Sequence, residues 1–136
     1  MKKEKHNEVL QEVLDEIEAA QRDKRGLIAH QRRLAFALSL GAVNLLELYF
    51  HNLNVIKEGS KINHMWFKKK EESIRERLQN QITSPLNTIK QVNIAIRIIS
   101  SIEKRRDDLA YGPSATEEEL QKKINEFFEL RRLLKW

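Results

Sequence analysis

The chain has 136 residues with 25 basic against 20 acidic side chains, a net charge of +5, no cysteine, 4 glycines and 2 prolines. That length suits one domain, 1–136, able to bury roughly two-thirds of its unfolded surface. So few turn formers among so much Leu, Ile, Glu, Lys, Arg and Gln point to an all-α fold. Without cysteine, disulfides, thiolate metal sites and cysteine nucleophiles are excluded, which fits a reducing cytoplasm. A basic excess this mild and dispersed is compatible with binding phosphate backbones but is not a signature of it.

The opening stretch, MKKEKHNEVLQEVLDEIEAA, is too charged after its first lysines for a signal peptide. Val9, Leu10, Val13, Leu14 and Ile17 recur every three to four residues, which predicts a first helix over about 4–24. After Gly26 comes a long apolar segment in which Leu34 to Phe50 is interrupted only by Ser39, Gly41, Asn44 and Glu47. It falls short of the ~20 apolar residues of a bilayer span. A helix apolar nearly all round must be covered nearly all round, so 28–52 is expected at the centre of a bundle or partly in a subunit interface. Glu47 within it must find a partner or reach solvent, either by pairing with an arginine of a neighbouring helix or by marking the edge of a dimer interface.

HNLNVIKEGSKIN reads as a loop, with Asn63 placed to cap a third helix over about 64–80. Ser84-Pro85 reads as an N-cap followed by proline at the first helical position, which starts a fourth helix there. Ile89, Val92, Ile96, Ile99 and Ile102 supply its stripe, and Tyr111-Gly112-Pro113 ends it, glycine by taking the left-handed conformation and proline by being unable to continue. Thr116 opens a capping box with Glu119, and Glu117 and Glu118 favour the positive end of a fifth helix carrying Leu120, Ile124, Phe127, Phe128 and Leu134. The expected fold is an antiparallel bundle of about five helices.

The stretch EKRRDDLAYGPSATEEEL, 103–120, crowds Arg105, Arg106, Asp107, Asp108 and Tyr111 against the break between the last two helices. Its RRDDLAYG run, followed by a short loop and SATEEELQKKINEFFELRRLL, resembles the HEPN family, the higher eukaryote and prokaryote nucleotide-binding helical domains. FALSLGAVNLLELYFHNLNV and the loop bearing His64 are similar to that family's long buried helix and its basic, histidine-bearing connection. The likeness spans about 25–136, and 105–112 is its specific part. It implies a helical bundle that dimerises and that either cleaves RNA, with arginine and histidine of two subunits meeting in a cleft, or pairs with a small nucleotidyltransferase in a toxin–antitoxin system. By position Arg106 is the family arginine, Asp107 the polar residue after it, and Tyr111 stands where the family has histidine.

That last departure has a physical weight. Cleavage at a 2′-hydroxyl needs a group that exchanges protons near neutrality; imidazole does so near ~6.5, whereas a phenol titrates near ~10, a gap worth about 4 kcal/mol. Arginine still holds a phosphate bidentately and tyrosine still stacks on a base, so binding survives where cleavage does not. Without the resemblance, the same residues read as cations complementing a helix C-terminus and a ring folded over the last turn.

KINHMWFKKK, 61–70, interleaves Lys61, His64 and Lys68 with Trp66 and Phe67. It reads either as a stacking platform for single strands or, more commonly for such a pattern, as core aromatics with solvated lysines. His64 beside the Asn63 cap reads first as a helix-start residue. His6, His30 and His51 lie on separate segments without HxxxH or HExxH spacing, so no metal ligands are assigned. No glycine-rich phosphate loop, Ser-His-Asp set or paired ExxH signature supports hydrolase, kinase or di-iron chemistry, and no cofactor is expected.

The expectation is therefore a cytoplasmic homodimeric HEPN-like bundle that binds RNA, a nucleotide or a partner protein without enzymatic activity. Its site residues are Arg106 and Tyr111 of the altered motif, with Arg105, Asp107, His64, Lys61 and Lys68. The alternative is a metal-independent ribonuclease in which His64 or another histidine supplies the base. A third reading is a structural bundle whose surface mediates assembly.

Overall fold

Five α-helices carry residues 2–136, which the computed structural model describes: α1 (Lys3–Arg22), α2 (Gln31–Asn52), α3 (Glu71–Gln79), α4 (Val92–Tyr111) and α5 (Glu117–Leu133). The described residues form no strand beyond a single antiparallel bridge between Ile56 and Ile82, which ties together the connections on either side of α3. The fold is thus all-α and bundle-like, as the composition requires.

α2 is the central element. It packs against α1, α4 and α5, and 14 of its residues are buried, including Glu47, Asn44, Ser39 and Gln31. α1 lays Leu10, Val13 and Ile17 on it, α4 lays Ile96, Ile99 and Ile102, and α5 lays Leu120, Ile124 and Phe127. By length and composition Leu27–Asn52 is apolar enough to cross a bilayer, yet 72% of its most apolar window is buried inside the bundle, so neighbouring helices cover it. Glu47 pairs with no arginine among the described residues: it accepts from the Ile62 backbone N–H at 2.6 Å and lies 3.3 Å from His6 Nε2.

Two predicted helix starts are displaced. The segment 64–68 is a short 3-10 turn with Asn63 capping it through Met65 N, and the chain is extended at Lys69 and Lys70 before α3 begins. One helix over 64–80 would place Lys70 or Glu71 between Phe67 and Ile74 on the buried stripe; the break releases both to solvent. Likewise Ser84-Pro85 does not start α4. Leu86–Thr88 forms a separate 3-10 turn and Ile89 is extended, because the Gln79 side chain donates to Ser84 O and accepts from Leu86 N, fixing a turn there. The β-branched pair Thr88-Ile89 gives little helical resistance to this.

α4 ends where expected, but Gly112 is not left-handed, with φ −93°. Glycine is required for another reason: its N–H donates to Asp108 O, and a Cβ would lie 2.5 Å from that same oxygen. Gly26 and Gly59 are the glycines with positive φ, 92° and 77°, and at Gly26 the Glu117 carboxylate closes over the turn to accept from Leu27 N and Ile28 N, capping the approach to α2. Thr116 caps α5 through Glu119 N, but the reciprocal half of the box is missing because the Glu119 carboxylate is taken by Arg105.

Gln31 anchors the loop after α4. Its buried side chain donates to Leu109 O at 3.0 Å and Pro113 O at 3.1 Å and accepts from Ala115 N at 2.9 Å. Gln31→Leu keeps the volume and abandons these backbone groups, so urea unfolding should show a loss of about 2 kcal/mol. An unchanged midpoint would mean that water replaces the amide.

Candidate functional site

The second half of α4 faces α2 and the 64–68 turn, and here the helix repeat sets Glu103, Arg106 and Asp107 at i, i+3 and i+4 on one face. Glu103 is 1% exposed and does not stand alone: Ser39 Oγ donates to its Oε2 at 2.6 Å, and His64 Nδ1 lies 2.6 Å from its Oε1. A carboxylate only accepts, so Nδ1 is the donor in this pair, and Nε2 makes no hydrogen bond among the described residues. The His64 side chain is 34% exposed, which leaves it open to a ligand.

One turn along α4, the Arg106 guanidinium lies over the Phe36 ring at 4.9 Å and donates to Asp107 Oδ1 at 2.9 Å. The Tyr111 ring meets the same Phe36 edge-on at 6.1 Å. Phe36, from the mostly buried α2, is therefore the surface on which the arginine and the phenol converge, with Arg106 21% and Tyr111 76% exposed. Lys68 joins the group through Asp107 Oδ2 at 2.5 Å. That hydrogen bond, aided by the lysine and arginine charges, holds the Asp107 carboxyl below the usual carboxylate range despite partial desolvation.

Tyr111 also borders a cavity of about 320 Å³ between the start of α2 and the end of α4, with Arg32, Arg33 and His30 on its wall. His30 is fixed there between Glu16 and Asp23, each at 2.9 Å. The Arg25 guanidinium, its backbone N–H and His30 together hold the Asp23 carboxyl far below its ordinary range. Arg32 is exposed at the rim and makes no ion pair among the described residues.

The expected site residues thus divide. Arg106, Asp107, Lys68, His64 and Tyr111 are drawn onto one region. Arg105 is not: it turns to α5, donating to Glu119 Oε1 at 2.7 Å and to Asp108 Oδ2 at 2.9 Å, and splints the two helices. Lys61 is exposed beside the buried Ile62 and has no partner in the region among the described residues. Of the aromatics in 61–70, Phe67 is wholly buried and Trp66 packs partly against the core, so neither forms an open stacking platform.

Sequence reasoning passed over Glu103, Ser39 and Phe36. One signal was available: Glu103 follows Ile96 and Ile99 on the apolar stripe, and a carboxylate in core register must be satisfied by something. Compared with known proteins, the chain matches no family model, and no curated protein or solved structure matches it significantly.

Proposed function

We propose that this chain is a HEPN-like bundle, cytoplasmic and homodimeric, that binds RNA where α2, the 64–68 turn and α4 meet. The observation that carries the reading is the convergence of Arg106 and Tyr111 on Phe36. A guanidinium held over a ring can still donate to a phosphate, and an exposed phenol beside it offers a face to a base. Asp107 competes for the guanidinium, so the phosphate must displace a half-buried ion pair. The exposed apolar residues Phe36 and Leu40 on α2 are the face through which two copies associate in this reading, as the HEPN resemblance implies. The same resemblance makes a small nucleotidyltransferase the protein partner to look for.

With tyrosine at 111, binding without cleavage is the primary reading. The Glu103–His64 pair favours a second one. A histidine oriented by a buried carboxylate, with its other nitrogen free, has the arrangement of a general base, and the nearby guanidinium would stabilise a pentavalent phosphate.

Titration of a fluorescent single-stranded RNA, read by anisotropy, separates these readings. Arg106→Ala should weaken binding about tenfold or more, the loss expected for a charge-assisted hydrogen bond. Full-strength binding by Arg106→Ala rejects the cleft. With a chelator present, intact RNA after prolonged incubation supports the binding reading. Cleavage that His64→Ala abolishes and Tyr111→Phe leaves unchanged establishes the ribonuclease instead.

A further inference from the structure

A second concavity lies along the seam between α3 and the first half of α4, away from Phe36 and Tyr111. Its volume is about 420 Å³. Lys69 and Lys70 stand on one bank, Arg97 and Lys104 on the other, and Glu71 is the lone carboxylate among the described residues that line it. All four cations are exposed, and none makes an ion pair or a side-chain hydrogen bond among the described residues. Their neighbours behave otherwise: Lys68, Arg105, Arg106 and Lys123 each hold a carboxylate. In a chain with 20 acidic residues, a row of cations left unpaired on facing banks repels itself, and a polyanion relieves that repulsion.

The groove wall is also prepared to donate. Lys123, nine-tenths buried behind α4, gives protons to Ser101 O at 3.0 Å and Ser101 Oγ at 2.9 Å. Because Ser101 Oγ already accepts from this ammonium, its own O–H is free for an acceptor in the groove it lines. The floor is apolar, with Ile74 and Ile96 almost wholly buried, so nothing there reads the edge of a base. Basic side chains and a hydroxyl recognise phosphodiester oxygens regardless of sequence, and the apolar floor adds no base readout. Continuity with the Arg106 region comes through the chain itself: Lys68, bound to Asp107, immediately precedes Lys69 and Lys70, and Lys104 lies three residues before Asp107 on α4.

We infer that the α3–α4 groove is a phosphate track that carries the flank of a single-stranded RNA away from the Arg106 region. This rests on the RNA-binding reading and adds a separate set of interactions to it. The full chain is titrated with two fluorescein-labelled oligouridylates, a trinucleotide and one of roughly 15 nucleotides, across a potassium chloride series. Lys69→Gln, Lys70→Gln and Lys104→Gln are combined; all three are exposed, and circular dichroism confirms that the variant folds. Each single-strand phosphate that is no longer neutralised lowers the salt slope by ~0.7, so this variant should show a slope shallower by about 2 and bind the long RNA at least tenfold more weakly. Its trinucleotide affinity should stay at the wild-type value.

A wild-type slope and affinity for the long RNA would overturn the groove, even if Arg106→Ala is impaired. Equal losses on both RNAs would overturn it too, since the lysines would then act at the cleft. Loss of long-RNA binding in the lysine variant, with Arg106→Ala unaffected on both RNAs, would keep the groove and reject the cleft. A wild-type protein that binds neither RNA, or that binds phosphatidylglycerol vesicles through these lysines in place of RNA, would reject the track outright.

Discussion

Glu47→Leu should destabilise the protein by about 3 kcal/mol and lower its Tm by roughly 10 °C. The carboxylate sits among leucines on α2, and leucine there restores an uninterrupted apolar stripe, so hydropathy alone argues for a gain. The hydrogen bonds argue for a loss. Oε1 is the acceptor for the Ile62 N–H at 2.6 Å, and Oε2 lies 3.3 Å from the buried His6 Nε2, which makes no hydrogen bond among the described residues. His6 is fully buried, and its other nitrogen is committed to Asn44 Oδ1 at 2.7 Å. The Asn44 amide is itself held by donating to Leu40 O, which fixes its oxygen toward the imidazole. Leucine at 47 therefore strands one backbone N–H away from water and takes the carboxylate from beside the imidazole, and removing one partner of a buried polar pair costs more than the pair contributes. Glu47→Gln, whose amide oxygen can still accept from Ile62, should lose appreciably less. Equal Tm values for Glu47→Leu and wild type would show that the region opens to water.

Phe127→Ala should cost about 3–5 kcal/mol, the range expected of a wholly buried aromatic ring. The ring is wholly buried where α5 crosses α2, against the one glycine of that helix. A Cβ at Gly41 would lie 2.6 Å from Phe127 Cε1 and 3.0 Å from Val13 Cγ1, so the three helices approach closely only because position 41 has no side chain. The two positions are therefore coupled, and a double-mutant cycle measures the coupling. Gly41→Ala alone should destabilise, since overpacking outweighs the ~1 kcal/mol of improved helix propensity. In the Phe127→Ala background the same change should stabilise, because the ring that opposed the methyl group is gone. Strict additivity in denaturant unfolding would contradict the packing.

The helices themselves were largely legible. Three-to-four spacing located α1, α2 and α5, and Gly112-Pro113 and Thr116 located the break between α4 and α5 within a residue or two. The two misplaced starts share a cause. At 69–70 and at 84–91 the chain follows a side-chain demand: solvating Lys70 and Glu71 in the first case, accepting the Gln79 side chain from five and seven residues away in the second. Local signals carry neither demand.

The candidate site was legible in part. Arg106, Asp107 and Tyr111 stand together in the sequence, and their type and order single them out. Nothing local links them to Phe36, nor His64 to Glu103 across 39 residues and Ser39 to Glu103 across 64. Arg105 shows the opposite error, since adjacency to Arg106 suggested a shared role although a 100° step around the helix aims it at α5.

Helix content, the polarity of each helical face and the loop after Tyr111 follow from properties each residue carries with it: periodicity, capping chemistry, and backbone freedom or its lack. Which polar groups meet inside the bundle was decided only when α2 was buried, because desolvation makes an unpartnered carboxylate or imidazole costly wherever the chain brings it. His6 and Asn44 settle with Glu47, and Ser39 and His64 settle with Glu103, through contacts that exist only once distant helices have packed.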